Sequence, residues 1–351
     1  MKKNHNKFLE VLSVLENSGF SGTVFFIAYK IKLFFLASWL IRRSNSTVSI
    51  DLIGCGNYAL SRHIPIFITQ KLKIGSIDTK SGLAAKKLNL PRSLTRNKHS
   101  NYLLICSPHN MHPEHLIENV NKYQKVYCEK PVCIDRKGLN ILKQFLDNFP
   151  TADSKVTVGF NRRNAPAVLQ IMKSIPRGNS KIELTYRVNF GTRVSNDMSD
   201  IKIGGGRLIG ACCHYVDLIE YIIGSKILNI YARPLQQDDH DTFSAIFGFK
   251  DGSLATLIFS SEGIRPKVGK EQISITTKDL SVDLLDFRRL NINGKIYNYR
   301  GGLDGSRITW KKFISNSEFD SQISLSEGMH ATEVTLAIRE SLNNNEKVSL
   351  L

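Results

Sequence analysis

In the first half of the chain, short apolar runs alternate with longer stretches of helical periodicity. The runs are of the length and composition typical of strands buried on both faces. They cover residues 48–53, 72–77, 102–106, 125–128 and 156–160, and the helical stretches between them cover residues 60–70, 113–123 and 136–149. Strands that alternate with helices predict an α/β domain of the Rossmann type, with a doubly wound parallel sheet.

The pattern changes after residue 165, where most apolar positions recur with a period of two. Strands are predicted at residues 182–191, 227–233, 242–250, 254–260, 272–276 and 281–286 and around Asn293-Gly294, with helices at 166–174, 214–223 and 327–342. Asp251-Gly252 is a strong hairpin signal between two of these strands. We therefore predict an α+β domain with an open-faced, mostly antiparallel sheet of about six strands. The active site is expected in the cleft between the domains.

The predicted boundaries are 1–47 for an N-terminal extension, 48–165 for the dinucleotide domain and 166–351 for the substrate domain. The extension carries seven Lys/Arg against two acids, and residues 23–41 are almost entirely apolar. Lys30 and Lys32 interrupt that stretch, and each would cost about 2.5–3.5 kcal/mol at the centre of a membrane-spanning helix. We expect a helix that packs on the protein or lies on a membrane surface, and these two alternatives stay open. A span and a signal peptide both fit less well.

Composition is that of a soluble globular protein, with 42% hydrophobic and 23% charged residues in 351. The six cysteines form no C-x-x-C pair and no metal-ligand spacing, so we expect free thiols, no metal and a cytoplasmic location, with association at a membrane surface left open. The net charge of +17 is spread along the whole chain, which disfavours nucleic-acid binding. A basic surface suits a phosphorylated cofactor, an anionic substrate or an anionic membrane equally well, and it can also have no specific partner.

A glycine-rich turn follows the first predicted strand of the α/β domain, with Gly54 and Gly56 in a G-x-G-x-x-A pattern that ends at Ala59. The first glycine allows the tight turn, the second lets the backbone approach a pyrophosphate, and the small third residue permits close packing of helix on strand. Asp78 ends the next predicted strand, where an acidic residue accepts the ribose 2′-hydroxyl of NAD. It also fits a plain turn residue. Lys80 or Arg92 could hold a 2′-phosphate, which leaves NADP open.

Four motifs in order resemble the Gfo/Idh/MocA oxidoreductases, over roughly residues 48 to 345. They are the glycine turn at 54–59, Cys-Glu-Lys-Pro at 128–131, Gly-Phe-Asn-Arg-Arg at 159–163, and the glycine-rich 204–210 leading to His-Tyr-Val-Asp-Leu at 214–218. A narrower resemblance, which includes residues 286–290, is to the C-terminal half of two-domain bacterial oxidoreductases. In those proteins the first half is a zinc-type alcohol dehydrogenase, for which this sequence has no counterpart.

The resemblance implies a catalytic set of Lys130, His214 and Asp217. Lys130 would lie between nicotinamide and substrate and orient the substrate oxygen, and burial would lower its pKa. His214 would take or relay the hydroxyl proton, since an imidazole titrates near neutrality. Asp217 follows three residues later on the same helical face, where it would contact the substrate or hold the imidazole.

The resemblance also implies binding residues. Those for the cofactor are Gly54, Gly56, Asn57, Tyr58, Ala59, Asp78, Ser107, Pro108, His112, Glu129 and Lys130, and those for the substrate are Arg162, Arg163 and Asp217. His109 and His330 are expected to be structural. The sequence departs from the family pattern before His214. Many family members carry an acidic residue four positions before this histidine, and the two-domain look-alikes carry a glutamate three positions before it. Here those positions are Gly210 and Ala211.

We therefore predict an NAD(P)-dependent oxidoreductase that transfers hydride between nicotinamide and a secondary alcohol or ketone of a sugar or nucleotide sugar. NAD is the expected cofactor, and self-association through the open face of the second sheet is implied by the resemblance. The alternative is a catalytically weak dinucleotide-binding protein that acts as a regulatory partner, with association at a membrane left open. The missing carboxylate before His214 and the unusual N-terminus favour the alternative, whereas the intact lysine–histidine set favours the enzyme.

Overall fold

The computed structural model describes residues 2–43, 46–78, 83–90, 92, 100–175, 180–192, 200–236, 240–264, 266, 268–315 and 323–350, with side chains from residue 10 onward. Its first sheet has five parallel strands in the order β2-β1-β3-β4-β5: β1 (Ser49–Ile53), β2 (Lys73–Asp78), β3 (Tyr102–Ile105), β4 (Lys125–Cys128) and β5 (Val156–Val158). Most positions of these strands are buried, as expected for a sheet covered on both faces. The predicted Rossmann-type sheet is confirmed.

The helices of this half connect its strands. They are α3 (Ile64–Thr69), α4 (Leu83–Leu88), α5 (His112–Asn119), α6 (Arg136–Asn148) and α7 (Ala152–Lys155), and a π-helical turn (Ala59–His63) leads directly into α3. The single helix predicted over residues 60–70 is therefore a π-turn followed by a short α-helix. The sequence did not predict α4 or α7. A side-chain cap at Asp135, which accepts the N–H of Gly138 at 2.7 Å, begins α6.

The second sheet has nine strands, in the order β13-β12-β11-β10-β6-β9-β8-β7-β14. They are β6 (Glu183–Asn189), β7 (Ile227–Pro234), β8 (Phe243–Phe249), β9 (Leu254–Ser260), β10 (Glu271–Thr276), β11 (Ser281–Leu285), β12 (Arg289–Ile292), β13 (Lys295–Asn298) and β14 (Val348–Ser349). Among the described strands of this sheet, only β6 and β9 pair in parallel, and β8 and β9 form the hairpin predicted at Asp251-Gly252. The predicted count of about six was too low. The strands predicted around Asn293-Gly294 are β12 and β13, and the two-residue β14 had no predicted counterpart because so short a strand carries little periodicity.

The described part of the second half of the chain also contains four helices: α8 (Pro166–Ser174), α9 (Cys213–Ile223), α10 (Ser306–Ser315) and α11 (Leu325–Asn344). A second π-helical turn, Leu208–Cys212, leads into α9, and a capping box at Ser324 and Glu327 begins α11. The sequence did not predict α10. This helix follows the second sheet along the chain, yet its Trp310 and Phe313 belong to the hydrophobic core of the first sheet.

The N-terminal extension forms two helices, α1 (Lys2–Lys30) and α2 (Phe34–Arg42), with a kink in α1 at Gly19. Phe25 and Phe26 are buried in the core of the first sheet, and a Cβ on Gly22 would collide with the backbone of Pro65 in α3. Among the described residues, Glu10–Lys30 is long and apolar enough to cross a bilayer, with a mean hydropathy of 1.3. The packing of α1 on α3 accounts for much of that apolar content.

Candidate active site

The glycine turn lies at the carboxyl end of β1. Gly54 has φ +85°, and a Cβ there would collide with the carbonyl of Cys106, so the backbone path itself requires glycine. A Cβ on Gly56, in contrast, would meet no atom of the described residues within 4 Å. Because no described residue forbids a side chain at Gly56, the open space beside it fits a ligand that approaches the backbone closely. Ala59 is fully buried where the helix begins. This geometry fits the pyrophosphate of a dinucleotide.

Asp78 ends β2 directly beside the end of β1, and its carbonyl accepts the N–H of Gly54 at 2.8 Å. Its side chain is exposed at this edge of the sheet. A carboxylate in this position can accept a ribose hydroxyl and would repel a 2′-phosphate. Of the two cations considered for NADP, Arg92 is described and exposed, whereas Lys80 lies outside the described residues.

His112 joins two turns that border the same edge. Its Nδ1 lies 2.7 Å from the carbonyl oxygen of Pro131, and its Nε2 lies 3.0 Å from that of Ser107. Burial lowers the pKa of His112, and the side chain has no exposed surface. It therefore holds the two turns and offers no surface for direct contact with a cofactor, so its predicted place among the cofactor-binding residues stays a prediction. Ser107 also contacts His115, with 2.8 Å between Oγ and Nδ1.

Lys130 follows β4 and lies at the junction of the two halves. Its buried ammonium donates to the carbonyl oxygen of Gly210 at 2.6 Å. Gly210 lies inside the π-helical turn that precedes α9. Because a π-turn replaces the regular i→i+4 ladder, it leaves carbonyl groups available to other donors, and such turns are frequent at functional sites. The lysine predicted to be catalytic is thus tied to the same turn that leads to His214.

His214 lies in the first turn of α9, with its ring edge-on to Phe160 at 5.6 Å between centroids. Burial lowers the pKa of His214 well below its ordinary value, and the positive charges of Lys130, Arg162 and Lys270 lower it further. The imidazole is consequently neutral at pH 7. Its Nδ1 is buried and makes no hydrogen bond to the described residues. The structure therefore brings together the predicted ammonium and a neutral imidazole able to accept a proton.

Asp217 does not hydrogen-bond to His214 but pairs with Arg163. The guanidinium donates to the carboxylate at 3.1, 3.1 and 2.6 Å, and to Glu327 at 3.0 Å. Burial raises the pKa of Asp217 to about 6, against the opposing effect of Arg163, so the carboxyl is ionised at neutral pH. With a relative exposure of 1%, its side chain has almost no surface for a substrate. Its catalytic role stays a prediction.

Arg162, predicted to bind substrate, is held by a carboxylate that sequence reasoning missed. Its guanidinium donates to both oxygens of Glu271 at 2.9 and 2.7 Å, and it stacks 5.1 Å from the centre of the Tyr215 ring. The hydroxyl of Tyr186 donates to the same carboxylate at 2.7 Å. Arg162 lies near His214, where it contributes positive charge. No sequence signal joined Arg162 to Glu271, which is 109 residues away.

His63 is a second residue that sequence reasoning missed. Its Nδ1 accepts the indole N–H of Trp310 at 3.0 Å, so a neutral ring carries its proton on Nε2. That nitrogen lies 2.9 Å from Oε1 of Glu129, although the two atoms are not aligned for a straight hydrogen bond. All three side chains are buried. The available signal was the position of His63 at the end of the helical turn that begins at the glycine motif.

Residues 48–160 match an oxidoreductase family with an NAD-binding Rossmann fold, and residues 180–277 match the GFO/IDH/MocA C-terminal domain. The chain belongs to the Gfo/Idh/MocA family. The first half is thus an NAD-binding domain, as predicted.

Two curated relatives illustrate the range of activities within this similarity. Myo-inositol 2-dehydrogenase of Thermotoga maritima is 22% identical over 175 residues, which are 48% of this chain and 52% of the relative. Glucose-6-phosphate 3-dehydrogenase of Bacillus subtilis is 27% identical over 140 residues, or 37% of this chain and 39% of the relative. The chain thus spans about half or less of the length of these two relatives.

Solved structures share the fold over most of the chain. The WlbA dehydrogenase of Bordetella pertussis, in complex with NADH and UDP-GlcNAcA, superimposes with a TM-score of 0.69 at 18% identity, covering 87% of this chain and 99% of that one. The scyllo-inositol dehydrogenase of Lactobacillus casei, with bound NAD(H) and scyllo-inositol, gives a TM-score of 0.65 at 16% identity, with coverage of 87% and 99%.

Proposed function

We propose that this protein is an NAD-dependent dehydrogenase or reductase that acts on a CH–OH group of a sugar or nucleotide sugar. The observation that carries the proposal is the contact between the ammonium of Lys130 and the carbonyl of Gly210, beside the neutral imidazole of His214. A carbinol loses hydride only if its hydroxyl proton leaves at nearly the same time. The site offers one cation and one proton acceptor for that step.

The roles follow from the charges. NAD, when bound, supplies the hydride acceptor. The open space at Gly56 and the carboxylate of Asp78 would hold its pyrophosphate and adenosine ribose, and Glu129 would approach the nicotinamide ribose. Lys130 orients the substrate oxygen and stabilises negative charge that develops there. His214 receives the hydroxyl proton, which it can do because it is neutral at pH 7.

Two measurements test the proposal. Fluorescence titrations with NADH and NADPH are expected to show tighter binding of NADH, and equal or tighter binding of NADPH would contradict the role given to Asp78. A screen of inositols, sugars and nucleotide sugars, followed by NADH absorbance, is expected to find a substrate. Absence of turnover across the screen, with NADH still bound, would favour a catalytically weak dinucleotide-binding partner protein. Gly210 and Ala211 favour that second candidate, because many family members have an acidic residue at the first position and the two-domain look-alikes have a glutamate at the second.

We also propose self-association through the open face of the second sheet. Three apolar side chains on β8 and β9 are exposed there: Ile246 at 51%, Leu254 at 55% and Ile258 at 37%. Exposed apolar side chains grouped on one face of a sheet are typical of subunit interfaces. Sedimentation velocity is expected to show an oligomer that Ile246→Asp and Ile258→Asp dissociate, and a monomeric wild type would refute this contact.

The narrower resemblance to the C-terminal half of zinc-dehydrogenase-fused oxidoreductases stays a prediction. For the N-terminal extension we propose peripheral contact with a membrane surface rather than a span. Packing of Phe25 and Phe26 into the core of the first sheet supports this choice, because a spanning helix would have to abandon that packing. Fractionation of the full chain is expected to place part of it with membranes, from which high salt releases it. Extraction only by detergent would contradict the peripheral contact.

A further inference from the structure

The turn between α1 and α2, together with α2 itself, presents large apolar side chains to solvent. Ile31 is 61% exposed, Leu33 52%, Phe35 82% and Trp39 45%. We call these four residues the apolar tip. Phe34, between them, turns inward and packs edge-on against Tyr29 at 5.5 Å between centroids. Phe34 therefore packs on the protein, whereas the four residues of the apolar tip face solvent.

Exposed apolar side chains are concentrated in this part of the molecule. Among the described residues, twenty large apolar side chains are exposed, and seven of them lie between Leu15 and Trp39. Single exposed apolar residues are normal on soluble proteins, whereas a contiguous group marks a contact surface. Leu15, Phe20 and Ile27 continue the exposed group along α1.

The tip is flanked by positive charge. The sequence contains no Asp or Glu between Glu16 and Asp51, while Lys30, Lys32, Arg42 and Arg43 fall within that interval. The guanidinium of Arg43 lies 4.5 Å from the centre of the Trp39 ring. Lys87 of α4 lies 5.3 Å from the centre of the Phe34 ring. The nearest acid paired with this group is Glu10, which lies 3.2 Å from Lys30.

Exposed apolar side chains flanked by cations favour one kind of partner for the apolar tip. A second copy of the chain that met the tip across a two-fold axis would bring the same cations against each other, which is unfavourable. Aromatic and aliphatic side chains flanked by Lys and Arg are instead the composition that enters the interface of a bilayer. We propose that the apolar tip inserts into the headgroup region of a membrane with anionic lipids, and that Lys32, Arg42 and Arg43 bind the phosphates. This proposal deepens the peripheral contact proposed above and is independent of the NAD site.

The two tryptophans of the chain provide the test. Trp39 is in the tip, whereas Trp310 has no exposed surface. Vesicles of equal parts phosphatidylglycerol and phosphatidylcholine are expected to sediment with the protein and shift its fluorescence to the blue. The shift is expected to disappear in Trp39→Phe, which retains only Trp310. Vesicles of phosphatidylcholine alone are expected to bind at least about fivefold more weakly, since each Lys or Arg near an anionic surface contributes a factor of this size.

Substitutions identify the contact. Phe35→Ser is expected to weaken vesicle binding about tenfold. The matched control is Ile264→Ser, which replaces a side chain that is 93% exposed in the second half, and it is expected to bind as the wild type does. Failure to sediment with anionic vesicles would overturn both the tip and the peripheral contact. Three results would overturn insertion of the tip. They are sedimentation with vesicles without a shift of Trp39 fluorescence, a loss of vesicle binding in Ile264→Ser equal to that in Phe35→Ser, and a dimer that depends on Phe35 without vesicle binding. NADH titration of each variant shows whether the cofactor site is intact, and this result is independent of vesicle binding.

Discussion

Replacing Glu271 by glutamine is expected to destabilise the second half of the protein more than any comparable change at its surface. The Glu271 side chain is 7% exposed, and it accepts two hydrogen bonds from Arg162 and one from the hydroxyl of Tyr186. The substitution keeps the size of the side chain but removes its charge. Arg162, whose side chain is 13% exposed, would then hold a nearly buried positive charge without its carboxylate.

The expected loss is about 3–5 kcal/mol in the free energy of unfolding, because removal of one partner leaves the other charge uncompensated. Burial alone would raise the pKa of Glu271, but the charges of Arg162 and Lys270 lower it far below its ordinary value of 4.5. A carboxyl whose pKa falls on folding stabilises the protein above its unfolded pKa, and this contribution is lost as the pH falls below it. The difference between wild type and Glu271→Gln is therefore expected to be full at pH 7 and to shrink below about pH 4.5.

Urea unfolding followed by far-ultraviolet circular dichroism measures this difference. Tryptophan fluorescence does not suit the purpose, because Trp39 and Trp310 lie in or beside the first half. Glu327→Gln is the matched control. The Glu327 carboxylate accepts a hydrogen bond from Arg163 at 3.0 Å but is 39% exposed, and glutamine keeps the capping box of α11. The control is expected to lose less than about 1 kcal/mol. Equal losses in the two variants would refute the assignment of Arg162 and Glu271 as a buried pair.

The remaining predictions concern the cofactor and the proton acceptor. Gly56→Ala is expected to fold normally but to bind NADH at least about tenfold more weakly, because its Cβ enters the open space proposed for the cofactor. Gly54→Ala is expected to lower the melting temperature, because its Cβ collides with Cys106. Thermal scans and NADH titrations of both variants check this, and normal NADH binding by Gly56→Ala would contradict it. Lys130→Met is expected to lower turnover about 100-fold or more with NADH affinity nearly unchanged, and wild-type turnover would remove this lysine from the mechanism. With the pKa of His214 held low, kcat/KM is expected to show no loss between pH 8 and pH 6 from protonation of this ring. Lys130→Met is expected to raise that pKa, because a nearby positive charge disfavours the imidazolium, and a proton NMR titration in which the ring titrates identically in both proteins would refute the coupling.

The parts of the fold that follow from local chemistry were predictable. Gly54 is fixed by its own backbone conformation and by a neighbouring strand end, so the glycine pattern alone located the turn. Continuous apolar runs located all five strands of the first sheet. The hairpin at Asp251-Gly252 followed from turn chemistry that needs no distant partner. The membership of Lys130 and His214 in one site followed from the family resemblance rather than from any pattern in the residues.

The parts that depend on contacts distant in sequence were not predictable. Trp310 reaches His63 across 247 residues, and the periodicity of α10 gives no sign that this helix returns to the first sheet. Asp217, the partner of Arg163, was in the predicted set. The sequence allowed Asp217 to contact either Arg163 or His214, and only the packing decided in favour of Arg163. Neither π-helical turn has a signature in the sequence, because residue propensities do not distinguish π from α geometry over five residues.

The π-turn before α9 bears on the departure from the family pattern. Where many family members have an acidic side chain, Gly210 offers only its backbone carbonyl, and that carbonyl accepts the ammonium of Lys130 at 2.6 Å. A carbonyl dipole fixes the direction of the ammonium without neutralising it, whereas a carboxylate at that distance would offset most of its charge. Burial is the main cause of the lowered pKa of His214, and the retained charge of Lys130 lowers it further. The ammonium of Lys130 also remains available to stabilise negative charge on the substrate oxygen. The loss of the carboxylate is therefore compatible with an enzyme, and the tests on Lys130 decide whether the charge is used in this way.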